Sequence, residues 1–439
     1  MRDLLLLAIV IPCCLAALRR PWIGIILWTW LSIMNPHRYT YGFALTAPWA
    51  QLAAISTLIG FLMTRDRSSP FKGSPVTWFV VFMVWMTISW LLGLDVQGDF
   101  DQWKKVMKID VMLIAGLMLL HSRMHIVSLI WVSAGALALL GAKGGLFTLI
   151  TGGNYRVWGP QGSFIADNNE FALALVMTIP LLRFLQLQVQ GWQAKWALFA
   201  AMALCAASAL GSQSRGGLVA ISAMVLMLWW RGKHKLRGGI FLVVLAVPLI
   251  AFMPDEWSSR MASISNYEED RSAMGRISAW WTAWNIAKSY PSGVGFNPAT
   301  SELFARFSPH PDYVHAAHSI YFQVLGNHGF IGLVIFLGLF IATWRSAGWL
   351  RNQKNLPSEA AWCRDLGATC QVALAGYAVG GAFLSLAYFD LPYIIMTVVV
   401  LTRVWVERQS WKTEPAASSK WMVWLGLTES PKEADQSVN

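Results

Sequence analysis

A dozen apolar stretches, many about 17–25 residues long, dominate this chain and leave it few possible folds. A segment of that length crosses the hydrocarbon core of a bilayer as a helix, because a backbone in lipid must satisfy its own hydrogen bonds. Spans are expected near 23–35, 47–64, 76–94, 106–121, 126–148, 169–187, 195–210, 217–230, 240–253, 318–344, 367–388 and 392–406, twelve in all. Residues 4–18 form a further apolar segment, short for a crossing, which either spans or turns back. Only 13% of residues are charged, about half the roughly 25% of soluble domains, and mean hydropathy is +0.48. The expected fold class is an all-α polytopic membrane protein.

The net charge of +11 does not imply a nucleic-acid partner, because the basic residues cluster in short connections. Arg19-Arg20, Arg65/Arg67/Lys72, Arg231 to Arg237, Arg345 to Arg364 and the tail after Arg403 read as cytoplasmic by the positive-inside rule. The 35–47, 95–103, 149–168, 211–216, 254–317 and 388–392 connections then face the other side, the periplasm in a Gram-negative cell. Many of the 25 tryptophans, among them Trp22, Trp78, Trp90 and Trp192, lie near segment ends as interfacial anchors. Cys13, Cys14, Cys205 and Cys370 sit in apolar segments and Cys363 in a basic loop, so no disulfide framework or cysteine metal site is expected. The N-terminal apolar core lacks a small-residue cleavage motif and is taken as retained. The expected organisation is a bundle over 1–253, a large periplasmic loop over 254–317, further spans over 318–406 and a cytoplasmic tail over 407–439.

One connection, 254–317, is far longer than the rest, and loops beyond about 15 residues are usually functional or disordered. Within it MGRISAWWTAWNIAKSY places Ile277, Trp280, Trp281 and Trp284 at near-helical spacing. An interfacial amphipathic helix is expected, ended by Pro291 and Gly293.

Three arginines lie on the side opposite the basic loops. In GSQSRGG, Arg215 is flanked by small residues that let an anion approach the backbone closely; an arginine at such a boundary also commonly snorkels to lipid phosphate. Gly275-Arg276 opens the amphipathic helix, where backbone N–H groups and a guanidinium can share an anion; the plain alternative is a solvated loop arginine. Arg156 precedes a Gly/Pro turn and reads more weakly.

In HPDYVHAAHSIYFQVLGNHGFIGL four of the chain's eight histidines gather where the long loop returns to the membrane. His315 and His318 are expected one helical turn apart. No HExxH motif or carboxylate cluster supports a metal there. A histidine close to phosphate-binding cations is a natural general base, against the plainer reading of a satisfied helix-start residue. His310 and His328 are expected to be structural. Asp390, at a short turn between two spans, is either a helix cap or an orienting partner for the histidine or an arginine.

Ser-Arg ending a span, Gly-Arg opening a loop helix followed by Pro-x-Gly-x-Gly, and His-Ser ten residues before Gly-Phe-Ile-Gly-Leu, in this order, resemble the O-antigen ligase and O-antigen polymerase superfamily over roughly 154–390. The stretch WTWLSIMNPHRYTYGFA also looks like the branch of O-glycosylation ligases associated with exosortase systems. The resemblance implies a GT-C-like membrane glycosyltransferase that moves a glycan from undecaprenyl pyrophosphate to lipid A-core at the periplasmic face of the bacterial inner membrane. It implies catalytic roles for His318, Arg215, Arg276 and Asp390, and substrate-binding roles for Arg156 and His315. The family more often has His-Asn where this chain has His318-Ser319.

No metal, nucleotide or other cofactor is expected, because the donor carries its own leaving group and arginines can offer it bidentate bonds. A polymerase or a protein O-glycosylation ligase would share the donor and differ in acceptor. A transporter would suit twelve spans, but neither a two-fold repeat nor paired broken helices are visible.

Overall fold

The computed structural model describes residues 1–231, 271–414 and 420–427. The expected span at 240–253, the basic loop after Arg231 and the first part of the long connection lie outside them. Among the described residues the regular structure is entirely helical. We label the α-helices α1 (Arg2–Arg19), α2 (Pro21–Met34), α3 (Trp49–Met63), α4 (Ser74–Leu91), α5 (Phe100–Leu119), α6 (Arg123–Ile150), α7 (Asn168–Gln188), α8 (Trp192–Gly211), α9 (Arg215–Arg231), α10 (Arg271–Ser289), α11 (Ser301–Phe307), α12 (Ile320–Arg351), α13 (Trp362–Gly380), α14 (Asp390–Glu407) and α15 (Lys420–Trp424).

Six helical segments among the described residues are long and apolar enough to cross a membrane, and α2, α3 and α9 are shorter apolar helices. The chain is a multi-pass membrane protein. Boundaries follow local chemistry. Pro21 stands at the first position of α2, where its missing N–H costs nothing. Asn35 ends that helix in the left-handed region at φ 49°. The Ser122 side chain caps α6 by accepting from the His125 N–H.

At the centre lies α7, with 83% of its most apolar window buried, against 33% for α4 at the periphery. It packs against α6, α8, α9 and α13. Exposed Leu139, Leu146, Val334 and Ile341 face outward, as lipid-contacting side chains do.

The amphipathic helix of the long connection is present as α10, and it packs on α12. Trp280 stacks on Phe322 with centroids 5.2 Å apart, and Trp284 meets Phe330 edge-on at 5.1 Å. The segment after α10 is sewn into the bundle: Leu94 N–H donates to Val294 O, the Asp99 carboxylate accepts from the Phe296 N–H, and Gly295 N–H donates to Asn327 O. Burial pushes the Asp99 carboxyl up, and the Phe296 N–H partly offsets it.

Four expectations change. α12 begins at Ile320, so His315 and His318 lie in the non-helical approach and do not share a helical face. α12 breaks at Gly329 (φ 69°, ψ −171°), where a Cβ would overlap the Pro291 carbonyl oxygen. Cys363 is buried inside α13, not in a loop. The expected span 367–388 ends at Gly380, a non-α stretch of mostly short turns follows, and Asp390 is the first residue of α14. His328 is satisfied in the core: its Nδ1 is 3.0 Å from Ser89 Oγ and its Nε2 2.7 Å from Tyr388 O–H.

Candidate functional site

Helix starts and irregular segments from distant parts of the chain meet at one end of the bundle. The turn before α9 carries Gln213 in the left-handed region at φ 55°. Ser214 caps the helix by accepting from the Gly217 N–H at 2.9 Å. A Cβ on Gly217 would lie 2.7 Å from Ala172 Cβ, and one on Gly216 would touch Leu384 and Phe383. The first turn of α9, which bears half-buried Arg215, is therefore lodged between α7 and the 383–384 segment.

Arg276 reaches the same region through α10. Trp280, one turn along, lies 6.3 Å from the Phe383 ring and donates its indole N–H to the Ala317 carbonyl at 2.7 Å. That bond fixes the backbone immediately before His318. On the same helix, a Cβ at Gly275 would stand 2.6 Å from Cδ2 of His315, so the ring rests where a larger residue would project. The two histidine rings are 6.2 Å apart. Partial burial, then His318, then the Arg276 guanidinium, lowers the His315 pKa.

His318 adopts φ 41°, a left-handed conformation that an L-residue occupies at a cost of about 1–2 kcal/mol. Such backbone strain in a non-glycine residue is characteristic of functional sites. Its Nδ1 is buried without a hydrogen-bond partner and lies 3.9 Å from Oε1 of Glu170. At 3.9 Å the contact is too long for a hydrogen bond, and it becomes an ion pair only when the imidazole carries a proton on both nitrogens. Glu170 is 6% exposed, and its Oε2 also has no hydrogen-bond partner.

Beside it, Asp167 caps α7, its Oδ1 accepting from the Asn169 N–H at 2.9 Å. Burial pushes the Asp167 carboxyl up, but the hydrogen bonds it accepts, those from Asn169 among them, and the nearby His318 outweigh it and bring it below the ordinary value. Neither carboxylate stands out among the candidate site residues of the sequence. The available signal was Asp167-Asn-Asn-Glu170, a capping pattern that puts an acid at the start of an otherwise apolar helix.

Arg156 is exposed and reaches the cluster through its Nε, 3.4 Å from Gln213 Oε1. Gln213 in turn donates to the Gly153 carbonyl, and Asn168 donates to Ser212 O. Arg215, Arg276, His315, His318 and Arg156 thus belong to one connected region. Asp390 is placed elsewhere: it is buried, accepts from Ser32 Oγ and lies in electrostatic reach of Lys105. Among the described residues, no three of His, Cys, Asp and Glu converge to hold a metal ion.

The fold and this end of the bundle define a polytopic helical membrane protein with a histidine, two carboxylates and arginines gathered at the ends of its helices. Residues 200–337 match the family model described as O-antigen ligase, which spans Arg215, Arg276 and His318. Over these residues the chain is similar to the O-antigen ligase superfamily. Residues 1–189, which include Asp167, match a second family model, described as a family of unknown function. Among curated proteins none matches the chain.

Proposed function

We propose that the protein is a lipopolysaccharide O-antigen ligase, which transfers a glycan from undecaprenyl pyrophosphate to a hydroxyl of lipid A-core at the periplasmic face of the inner membrane. The observation that carries this reading is the His318–Glu170 pair, set in strained backbone in the region that Arg215 reaches from the start of α9 and Arg276 from the second turn of α10. That helix begins at Arg271 and not at Gly275.

The acceptor hydroxyl gives its proton to His318 Nε2 as its oxygen bonds to the anomeric carbon. The bond from that carbon to the pyrophosphate oxygen breaks, and the electron pair leaves with the pyrophosphate. Arg215 and Arg276 take up the departing charge through charge-assisted bonds. Glu170, facing Nδ1, stabilises the imidazolium as it forms, the role of the carboxylate behind a catalytic histidine. Direct displacement inverts the anomeric centre. Arginines supply the charge stabilisation that a metal gives other transferases, so the transfer is metal-independent. Gly275, pressed on His315, makes α10 the cover over the reacting groups, with His315 and Arg156 at the substrate margin.

The test is transfer by the purified protein, in EDTA and without nucleotide, of a polyisoprenyl-pyrophosphate glycan to three acceptors: lipid A-core, an acceptor protein and a second lipid-linked glycan. Product on lipid A-core is expected. Product on either other acceptor alone would reassign the protein to a protein O-glycosylation ligase or a polymerase, and a metal requirement would overturn the mechanism.

A further inference from the structure

A groove with a cavity volume of about 750 Å³ opens between α2, α3 and α5, and His318 is not among the residues that line it. Its lining changes character along its length. One end is polar, with Asn35, His37, Gln51, Lys104, Lys105 and Lys108. The other end is apolar, with Trp28, Leu31, Ala54, Leu58, Ile109 and Met112. From Asp101 to Met112 on α5 the lining descends eleven residues, about 16 Å of helix, which is close to half of a hydrocarbon core about 30 Å thick. The groove has the depth of a single leaflet and the polarity of a single lipid.

Its charge has a definite sign. Three lysines face one aspartate among the lining residues, and that aspartate, Asp101, pairs with Lys104 at 2.6 Å. Lys105 lies over the Phe164 ring at 3.8 Å and Lys108 is exposed. The Arg38 guanidinium adjoins, pressed against Gly162, where a Cβ would stand 2.8 Å away. A cationic lip over an apolar trough fits a phosphate headgroup above acyl chains.

We infer that the groove between α2, α3 and α5 is a binding site for an anionic acyl lipid, with the phosphate at Lys105 and Lys108 and the chains along the apolar face of α3. The undecaprenyl chain of the proposed donor would far outrun a trough of this depth. The site adjoins the histidine cluster: Phe164 lines the groove and Asp167 lies in electrostatic reach of His318. Three residues of chain separate them by no more than about 11 Å. Ser32, on the groove wall, also donates to buried Asp390, so this assignment gives Asp390 a setting beside the lipid.

The test is lipid binding, which needs no transfer activity. The delipidated full-length protein in detergent is titrated, with native mass spectrometry as readout, against phosphatidylglycerol, phosphatidylcholine with the same chains, and undecaprenyl phosphate. Phosphatidylglycerol is expected to bind most tightly. Lys105→Gln with Lys108→Gln should weaken it about 25-fold, at about five-fold per lysine, and leave phosphatidylcholine unchanged. Lys104→Gln, already paired with Asp101, should change it less. Ala54→Phe, which fills the trough, should weaken both acyl lipids at least about five-fold. The lysines are at the surface, so their variants keep the test valid if Ala54→Phe fails to fold. Equal binding of the two acyl lipids, tighter binding of undecaprenyl phosphate, or indifference to the lysine pair would overturn the proposal.

Discussion

Replacing Glu170 by glutamine removes one charge and almost no volume. The carboxylate stands 3.9 Å from His318 Nδ1, and the two side chains are 8% and 25% exposed. Opposite charges at that distance interact by about 4 kcal/mol at an effective dielectric near 20. The partial exposure of the histidine reduces the effect to roughly 2–4 kcal/mol of imidazolium stabilisation. The imidazolium forms only as the acceptor proton is taken, so the loss falls on the transition state. Glu170→Gln should lower kcat roughly 30- to 900-fold, at 1.36 kcal/mol per decade, and leave KM for the donor within about three-fold. The assay is steady-state transfer from a lipid-linked donor, with thermal unfolding as the check on folding. Glu170→Asp, which keeps the charge at a longer reach, should recover part of the rate. If Glu170→Gln turns over within three-fold of wild type, or loses only KM, the pair is structural and the reasoning fails.

Further outcomes follow from the same geometry. Gly329→Ala should lower stability by about 2–5 kcal/mol, because the position has φ 69° and a Cβ would meet the backbone of Pro291; yield and unfolding temperature in detergent report it. Arg215→Lys and Arg276→Lys keep the charge but lose bidentate geometry, so each should reduce kcat/KM by about 100-fold, and a change below three-fold in both would remove them from the pyrophosphate. Asp167 has a lowered folded pKa, so its contribution to stability is complete above its unfolded value of about 3.9 and fades as pH falls through the folded value. Asp167→Asn, still a good cap, should unfold at a somewhat lower temperature than wild type at neutral pH and show a flatter loss of unfolding temperature below about pH 4, where the two converge.

What the sequence disclosed and what it hid divide along physical lines. The apolar segments and the amphipathic helix with Ile277, Trp280 and Trp284 were legible, because their information is periodic and local. Arg215, Arg276 and His318 stood out in the sequence as charged and titratable groups near the ends of apolar segments, and the structure brings them into one connected region. Glu170 was not, since its meaning comes from a contact with His318 far along the chain. The left-handed backbone of His318 was hidden too, because the Trp280–Ala317 bond and the packing of His315 against Gly275 hold it there. Asp390 was legible as an acid at a short turn between two spans, but its burial and its partners Ser32 and Lys105, from α2 and α5, were not. The break at Gly329 had a signal in the glycine itself, and the Pro291–Gly293 segment it admits could be seen only in three dimensions.

The most direct measurement of the central claim is single-turnover transfer by His318→Ala and wild type, in EDTA, with saturating lipid-linked donor and lipid A-core. The account predicts product of inverted anomeric configuration from wild type and a rate reduced about 100- to 10,000-fold in the variant, with donor binding retained. Transfer at an undiminished rate by a folded His318→Ala protein would contradict it.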